Sequence, residues 1–362
     1  MHVIAAAEPA ATQANVNALW LLVAAALVLL MTPGVAFFYG GMVKAKSVVS
    51  MMMMSFGAIA LVAVLWVLYG YGMSFGTPLI QNWLGNPFDG LIGLGKLLGI
   101  GKDGAMSPDL GALAFVGFQA TFAIITVALI SGAIADRAKF GAWMVFAGIW
   151  VTVVYFPVAY WVFNLGDGWA PHLLGVNDFA GGTAVHINAG AAGLALALVL
   201  GKRVGFQKGI TKPHNVPLTL LGAALLWFGW FGFNAGSEAA VDGVAAIAWI
   251  NTLAAPAAAT IGWLIVEKIK DGKPTSIGAA SGAVSGLVAI TPACNILTPG
   301  WAIVLGLITG AVCALAIELK WKLGFDDSLD VVGVHLVGGV IGTLYIGIFG
   351  AGIGLIDTGS FK

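Results

Sequence analysis

Charge is scarce in this chain. Only 9% of its 362 residues are Asp, Glu, Lys or Arg, where a soluble domain carries about 25%. The 16 basic and 16 acidic residues cancel, so the formal net charge is zero. Nothing in that balance suits nucleic acid or another polyanion as a partner. Cysteine is scarcer still. Cys294 and Cys313 both lie in apolar runs and read as small buried hydrophobes rather than a disulfide or a metal pair. No nucleophile elbow, phosphate loop or Cys/His metal cluster appears, so the sequence gives no support for an enzyme or a bound cofactor. The first sixteen residues contain no Lys or Arg, and an intact secretory signal needs a basic opening. "IAAAEPA" reads either as the remnant of a processed leader or as a plain extracellular N-terminus.

What the chain has is apolar length. Sixty per cent of its residues are hydrophobic and the mean hydropathy is +0.98. This predicts an all-α polytopic membrane protein, multi-pass in the plasma membrane, with the lipid bilayer as its first partner. Glycine, at 52 residues, fits membrane helices whose backbones approach closely. A bilayer core takes about 20 apolar residues. Runs of that size predict ten spans, at about 17–43, 48–73, 109–134, 141–163, 179–201, 216–236, 242–266, 277–296, 300–321 and 329–350. With the N-terminus outside, the inner loops hold Lys44 and Lys46; Arg137 and Lys139; Lys202, Arg203, Lys208 and Lys212; Lys268, Lys270 and Lys273; Lys320 and Lys322. Only Lys96, Lys102 and Lys362 of the 16 basic residues fall outside, the asymmetry of a positive inner face. The expected organisation is an extracellular segment over 1–16 and one membrane domain over 17–362. Its longest extramembrane stretch, about 74–108, is Gly-rich and outside.

Ten spans divide into five and five. An odd number per half inverts the second half, a common transporter design with the solute site near the midplane. This predicts repeats over about 17–201 and 216–350. Span five opens "DFAGGTAVHINAG" and span ten opens "DVVGVHLVGG". Each has an Asp at its entrance, a His within, and Gly around it. Spans one and six echo more weakly, in "PGVAFFYGG" and "WFGFNAGS". Few ionisable residues remain inside the spans: Asp178, His186, Asp330, His335 and, near an inner end, Glu318. Asp178 and Asp330 each stand at a helix N-terminus, where a carboxylate accepts backbone N–H bonds and suits the dipole. Capping is the preferred reading; direct contact with a solute is the other. His186 lies about 12 Å inward from Asp178, and His335 about 7–8 Å inward from Asp330 on the opposite side. The two imidazoles are therefore expected to meet near the centre, where they can bond each other and handle at most one proton between them. A second reading places them as axial ligands on either side of a haem.

With these residues in place, the sequence resembles the Amt/Mep/Rh ammonium transporters, on the bacterial Amt side. The resemblance runs from about residue 17 to the end. It rests on "MTPGVAFFYGG" (31–41), "GFQATFA" (117–123), "DFAGGTAVHINAG" (178–190), "GKRVGF" (201–206), "KPHNVP" (212–217), "GWFGFNAGS" (229–237), "TPAC" (291–294) and "DDSLDVVGVH" (326–335). It implies ammonium or ammonia as the substrate and a homotrimer with one pore per protomer between the two five-helix halves. Phe122 and Phe233 match the stacked phenylalanines at the outer end of the pore. Ser237 matches the hydroxyl that contacts ammonium. Asp178 matches the aspartate that holds this outer site in shape. His186 and His335 match the twin histidines. Ammonium is drawn to aromatic faces and donates hydrogen bonds that potassium lacks. Carrying the intact cation through an apolar pore is costly. Deprotonation lets ammonia pass while the histidines relay the proton.

Three departures from the family pattern stand out. Phe163, at the end of "YFPVAYWVF", occupies the outer-site position where the family commonly has Trp. Trp161 lies about 200° round the helix and is no simple substitute. Gly72 stands where the span-two serine of the same site is expected. The family has eleven spans and a cytoplasmic tail, whereas this chain reads as ten, with the eleventh apparently missing. In the family that tail takes part in gating, and a P-II-type regulatory protein on the inner face is an implied partner. An ammonium-sensing module of a signalling protein is the alternative to a transporter; the complete twin-histidine pore favours transport.

Overall fold

The computed structural model describes residues 12–99, 106–206 and 212–359. Residues 1–11 of the N-terminal segment, and Lys102, Lys208 and Lys362 of the charge pattern, lie outside the described residues. Ten apolar helices carry the fold: α1 (Gln13–Met42), α2 (Ala45–Phe75), α3 (Leu110–Ile134), α4 (Phe140–Phe163), α5 (Gly182–Leu200), α6 (Val216–Gly236), α7 (Gly243–Lys270), α8 (Ser276–Ile290), α9 (Pro299–Leu323) and α10 (Val332–Phe349). Starts are set by short polar side chains that accept a backbone N–H two or three residues on. Thr12, Asp109, Asn215, Asp242, Thr275 and Thr298 do this for α1, α3, α6, α7, α8 and α9.

Nine of these helices are long and apolar enough to cross a bilayer. The tenth, α8, has 15 residues and ends short of the span expected over 277–296. Pro292 lacks an N–H and cannot extend the ladder. The chain instead turns through Thr291–Leu297 while still buried. Non-helical backbone is tolerated at membrane depth only when protein satisfies it. Here the Asn251 amide of α7 donates to the carbonyls of Cys294 (2.8 Å) and Leu297 (2.7 Å).

Helix α6 packs along α1, and α5 crosses α10 at the heart of the molecule. At that crossing a Cβ on Gly190 would stand 2.5 Å from the backbone nitrogen of Leu336, and one on Gly339 would stand 2.9 Å from the Ile187 side chain. Any larger residue would part the helices. The loops between α1 and α2, α3 and α4, α5 and α6, and α9 and α10 converge on one face. Lys44, Lys46, Arg137, Lys202, Arg203 and Lys320 line a cavity of about 1220 Å³ there. The opposite face carries a small hairpin, Pro78–Ile80 with Leu84–Gly85, and a knot of Trp83, Trp161 and Trp169.

Candidate functional site

The site forms where α5 and α10 enter from opposite faces. Asp178 accepts four backbone N–H bonds. Gly181 (3.0 Å) and Gly182 (2.6 Å) donate to one oxygen, and Thr183 (2.8 Å) and Ala184 (3.1 Å) to the other. Gly181 makes this turn possible with φ of 109°, a conformation in which a side chain is strained. The backbone then winds through a π-helical turn, Gly182–Ile187, which carries His186.

Helix α10 begins the same way, with one correction to the expected cap. Asp330 does not cap it. The carboxylate of Asp330 lies 2.5 Å from Lys320 Nζ. The cap is Asp327, which accepts the Val332 N–H at 2.7 Å. Asp327 stands eight residues before His335, as Asp178 stands eight before His186. Three residues after each cap the backbone turns left-handed, at Gly181 and at Asp330, whose φ is 65°. A π-helical turn follows in both, and His335 lies on Val332–Leu336. The matching eight-residue spacing was available in the sequence. Asp330 obscured it by standing closer to the apolar run.

The two histidines meet. Their Nδ1 atoms are 3.3 Å apart and their rings stack with centroids at 5.3 Å. Both are buried. Rings in such contact cannot stand on either side of a macrocycle, so the haem arrangement is geometrically closed to them. Trp230 of α6 was not expected at the site. It lies flat against His186, centroids 5.2 Å apart and planes 21° apart. Its indole N–H donates to Thr291 Oγ1 at 2.8 Å. The signal for it was helical periodicity: it precedes Phe233 by three residues, on the same face.

Phe122 and Phe233 stack at 4.2 Å with a 16° interplanar angle. Both are fully buried, and Phe233 lies 5.9 Å from His186. Phe163 stands edge-on to Phe122 at 6.1 Å. Trp161 points elsewhere, its N–H on the Trp83 carbonyl at 2.7 Å. Ser237 donates to the Phe233 carbonyl at 2.8 Å, which leaves the oxygen's lone pairs free. Gly72 is covered by the loop after the hairpin: a Cβ there would meet the backbone nitrogen of Gly90 at 2.6 Å. Phe122, Phe233, His186 and His335 thus form one series of ring contacts, with Ser237 one helical turn beyond Phe233.

At the far end of α5, Arg203 holds Asp326 through its side chain and its own N–H, at 2.6–3.1 Å. Arg137 joins it and also donates to the carbonyls of Gly201, Ala133 and Asp326. Burial pushes the Asp326 carboxyl up, but the Arg203 hydrogen bonds and the two guanidinium charges outweigh it and hold it below the usual range. Asp327, buried beside Asp330, is pushed up to about 6. Among the described residues no group of three His, Cys, Asp or Glu side chains could hold a metal ion.

The sequence model of the Ammonium Transporter Family matches residues 19–359. An ammonium transporter of Mycobacterium tuberculosis is 56% identical over 349 residues, covering 92% of this chain and 73% of that protein. The crystal structure of Candida albicans Mep2 superposes with a TM-score of 0.84 at 36% identity, covering 92% of this chain and 73% of that one. A solved sensor Amt protein superposes with a TM-score of 0.86 at 31% identity, covering 93% and 83%.

Proposed function

The chain belongs to the ammonium transporter family, and from that premise we propose a route for the ammonium it carries. It is a transporter and not an enzyme. The cation is recruited on the face bearing the tryptophan knot, at an outer site of Phe122, Phe163, Phe233, Ser237 and Asp178. The aromatic faces attract it by about 0.5–2 kcal/mol, and the Ser237 oxygen accepts one of its protons. Asp178 shapes the rim and lends its charge. All four of its nearest N–H partners are backbone groups, so its main part is to fix where α5 begins.

Beyond the phenylalanine stack the proton and the ammonia part. Ammonia passes the histidines, and the proton moves along the Nδ1–Nδ1 contact. The observation that carries this reading is that contact: two buried imidazoles 3.3 Å apart, delivered by helices from opposite faces. The same reading takes the two cap–turn–histidine units as an inverted five-plus-five repeat, α1–α5 and α6–α10. It makes the basic face cytoplasmic and the N-terminus external, in a plasma-membrane homotrimer. A P-II-type regulatory protein would meet the basic cavity. The sensor alternative rests on a membrane fold that both classes share.

The test is current. In proteoliposomes an ammonium gradient should drive inward charge movement that is saturable and blind to potassium. His186→Asp, which sets a fixed charge in the pore and hydrates it, should let potassium current appear. Ammonium binding without current in folded protein, or unchanged potassium exclusion in the variant, would overturn this route.

A further inference from the structure

One buried polar side chain beside the phenylalanine stack has nothing to bond. Gln119 of α3, in "GFQATFA", is 7% exposed, and its Oε1 is buried with no hydrogen-bond partner. Among the described residues its amide nitrogen makes no hydrogen bond either. An unpaired buried amide weakens a fold, whereas an apolar side chain of the same shape does not. Helical phase says where this one stands. At about 100° per residue round α3, Phe122 follows Phe118 by about 40°, and Gln119 lies about 60° further the same way. Phe118 lies against the end of α6, where a Cβ on Gly236 would stand 3.0 Å from its ring. Phe122 stacks on Phe233 of α6 and meets Phe163 of α4 edge-on. The sweep from Phe118 through Phe122 to Gln119 therefore runs from α6 toward α4, and it sets Gln119 on the Phe163 side of the stack. Along the axis, Gln119 is three residues, about 4.5 Å, from Phe122 toward the face bearing the tryptophan knot. Ser237 is four residues, about 6 Å, beyond Phe233 toward the same face. Each ring of the stacked pair thus has an oxygen-bearing side chain one turn outside it, Ser237 on α6 and Gln119 on α3.

An aromatic face attracts any small cation. Ammonium also carries four N–H donors, and acceptors set on separate walls can meet more than one of them. We propose that Gln119 is a second hydrogen-bond acceptor for ammonium at the outer site, its carbonyl oxygen facing the cation across from the Ser237 hydroxyl. The inference rests on the outer-site reading above and adds to it a residue that sets how tightly the ion is held. Because neither end of the amide is tied to protein, it is free to turn its oxygen toward the cation. The orphaned group is then the cost of a site built for a donor that arrives from solution.

The experiment uses the full chain, in proteoliposomes for ammonium current against concentration and in detergent for thermal unfolding. Gln119→Leu should raise the ammonium concentration for half-maximal current about tenfold, the size of one hydrogen bond to a charged group. Its maximal current should stay within about twofold of wild type. Its melting temperature should equal or exceed that of wild type, because no hydrogen bond within the protein is lost. A purely structural glutamine would give the opposite pair, a lower melting temperature and an unmoved half-saturation. Gln119→Leu half-saturation within twofold of wild type, or a melting temperature several degrees lower, would overturn the proposal. Ser237→Ala separates it from the outer-site reading. If Ser237→Ala also leaves half-saturation unmoved, the outer site itself falls; if it raises half-saturation while Gln119→Leu does not, only the role of Gln119 falls. Should Gln119→Leu fail to assemble, Gln119→Glu keeps an acceptor at the same reach and should hold half-saturation at or below the wild-type value. A rise above threefold in assembled Gln119→Glu would sink the inference.

Discussion

On the proposed route, Phe163 sets how tightly the outer site holds its cation. Its ring is edge-on to Phe122 and stands where the family resemblance leads one to expect Trp. Phe is the weaker partner for a cation. Phe163→Trp should lower the ammonium concentration for half-maximal current about two- to fivefold, roughly 0.5–1 kcal/mol, with the maximum little changed. An unmoved half-saturation would mean that position 163 does not face the ion. Thr291 acts through another residue. Its hydroxyl accepts the Trp230 N–H, and Trp230 is the shelf under His186. Thr291→Val leaves that buried donor unpaired, a loss of about 1–3 kcal/mol. It should show both as a lower melting temperature and as reduced current. The motif residues Phe122, Phe163, Phe233, Ser237, Asp178, His186 and His335 could all be picked out in the sequence. Trp230 and Asp327 left fainter signals, a three-residue spacing from Phe233 and an eight-residue spacing to His335 that the nearer Asp330 obscured.

At the scale of the element, the helices were legible wherever an apolar run was long and ended on a charged or capping residue. Composition alone cannot see inside a run. The expected span over 277–296 is apolar throughout, yet α8 stops at Ile290 because Pro292 breaks its ladder. Two carbonyls of the buried turn beyond it, those of Cys294 and Leu297, are met by one side chain, Asn251. Asn251→Leu frees the carbonyls of Cys294 and Leu297 inside the membrane region and should destabilise the fold by about 1–3 kcal/mol for each group left unpaired. Thermal unfolding in detergent would measure it; a melting temperature equal to wild type would mean that other donors reach those carbonyls. The cap of α10 was misplaced for a related reason. Sequence periodicity finds where an apolar face begins, whereas a cap is chosen by the backbone turn in front of it. At Asp330 that turn is left-handed.

For the whole molecule, Asp326 ties three loops together through Arg137 and Arg203. Its acidity has a definite sign in stability. A carboxyl held below its unfolded value of about 3.9 contributes fully above that pH, and the contribution is lost as pH falls through the folded value. Asp326→Asn should therefore unfold at a lower temperature than wild type at pH 7. The gap should hold down to about pH 4 and close only below it. A gap that closes between pH 7 and 5 would rule out Asp326 as its source.

The glycine crossing of α5 and α10 also bears on time. Backbone rests almost on side chain there, at Gly190 against Leu336 and Gly339 against Ile187. At that crossing α5 and α10 have no slack with which to rock about the histidines. The movements left along the route are those of single side chains, not the hinged-domain closures that take microseconds to milliseconds.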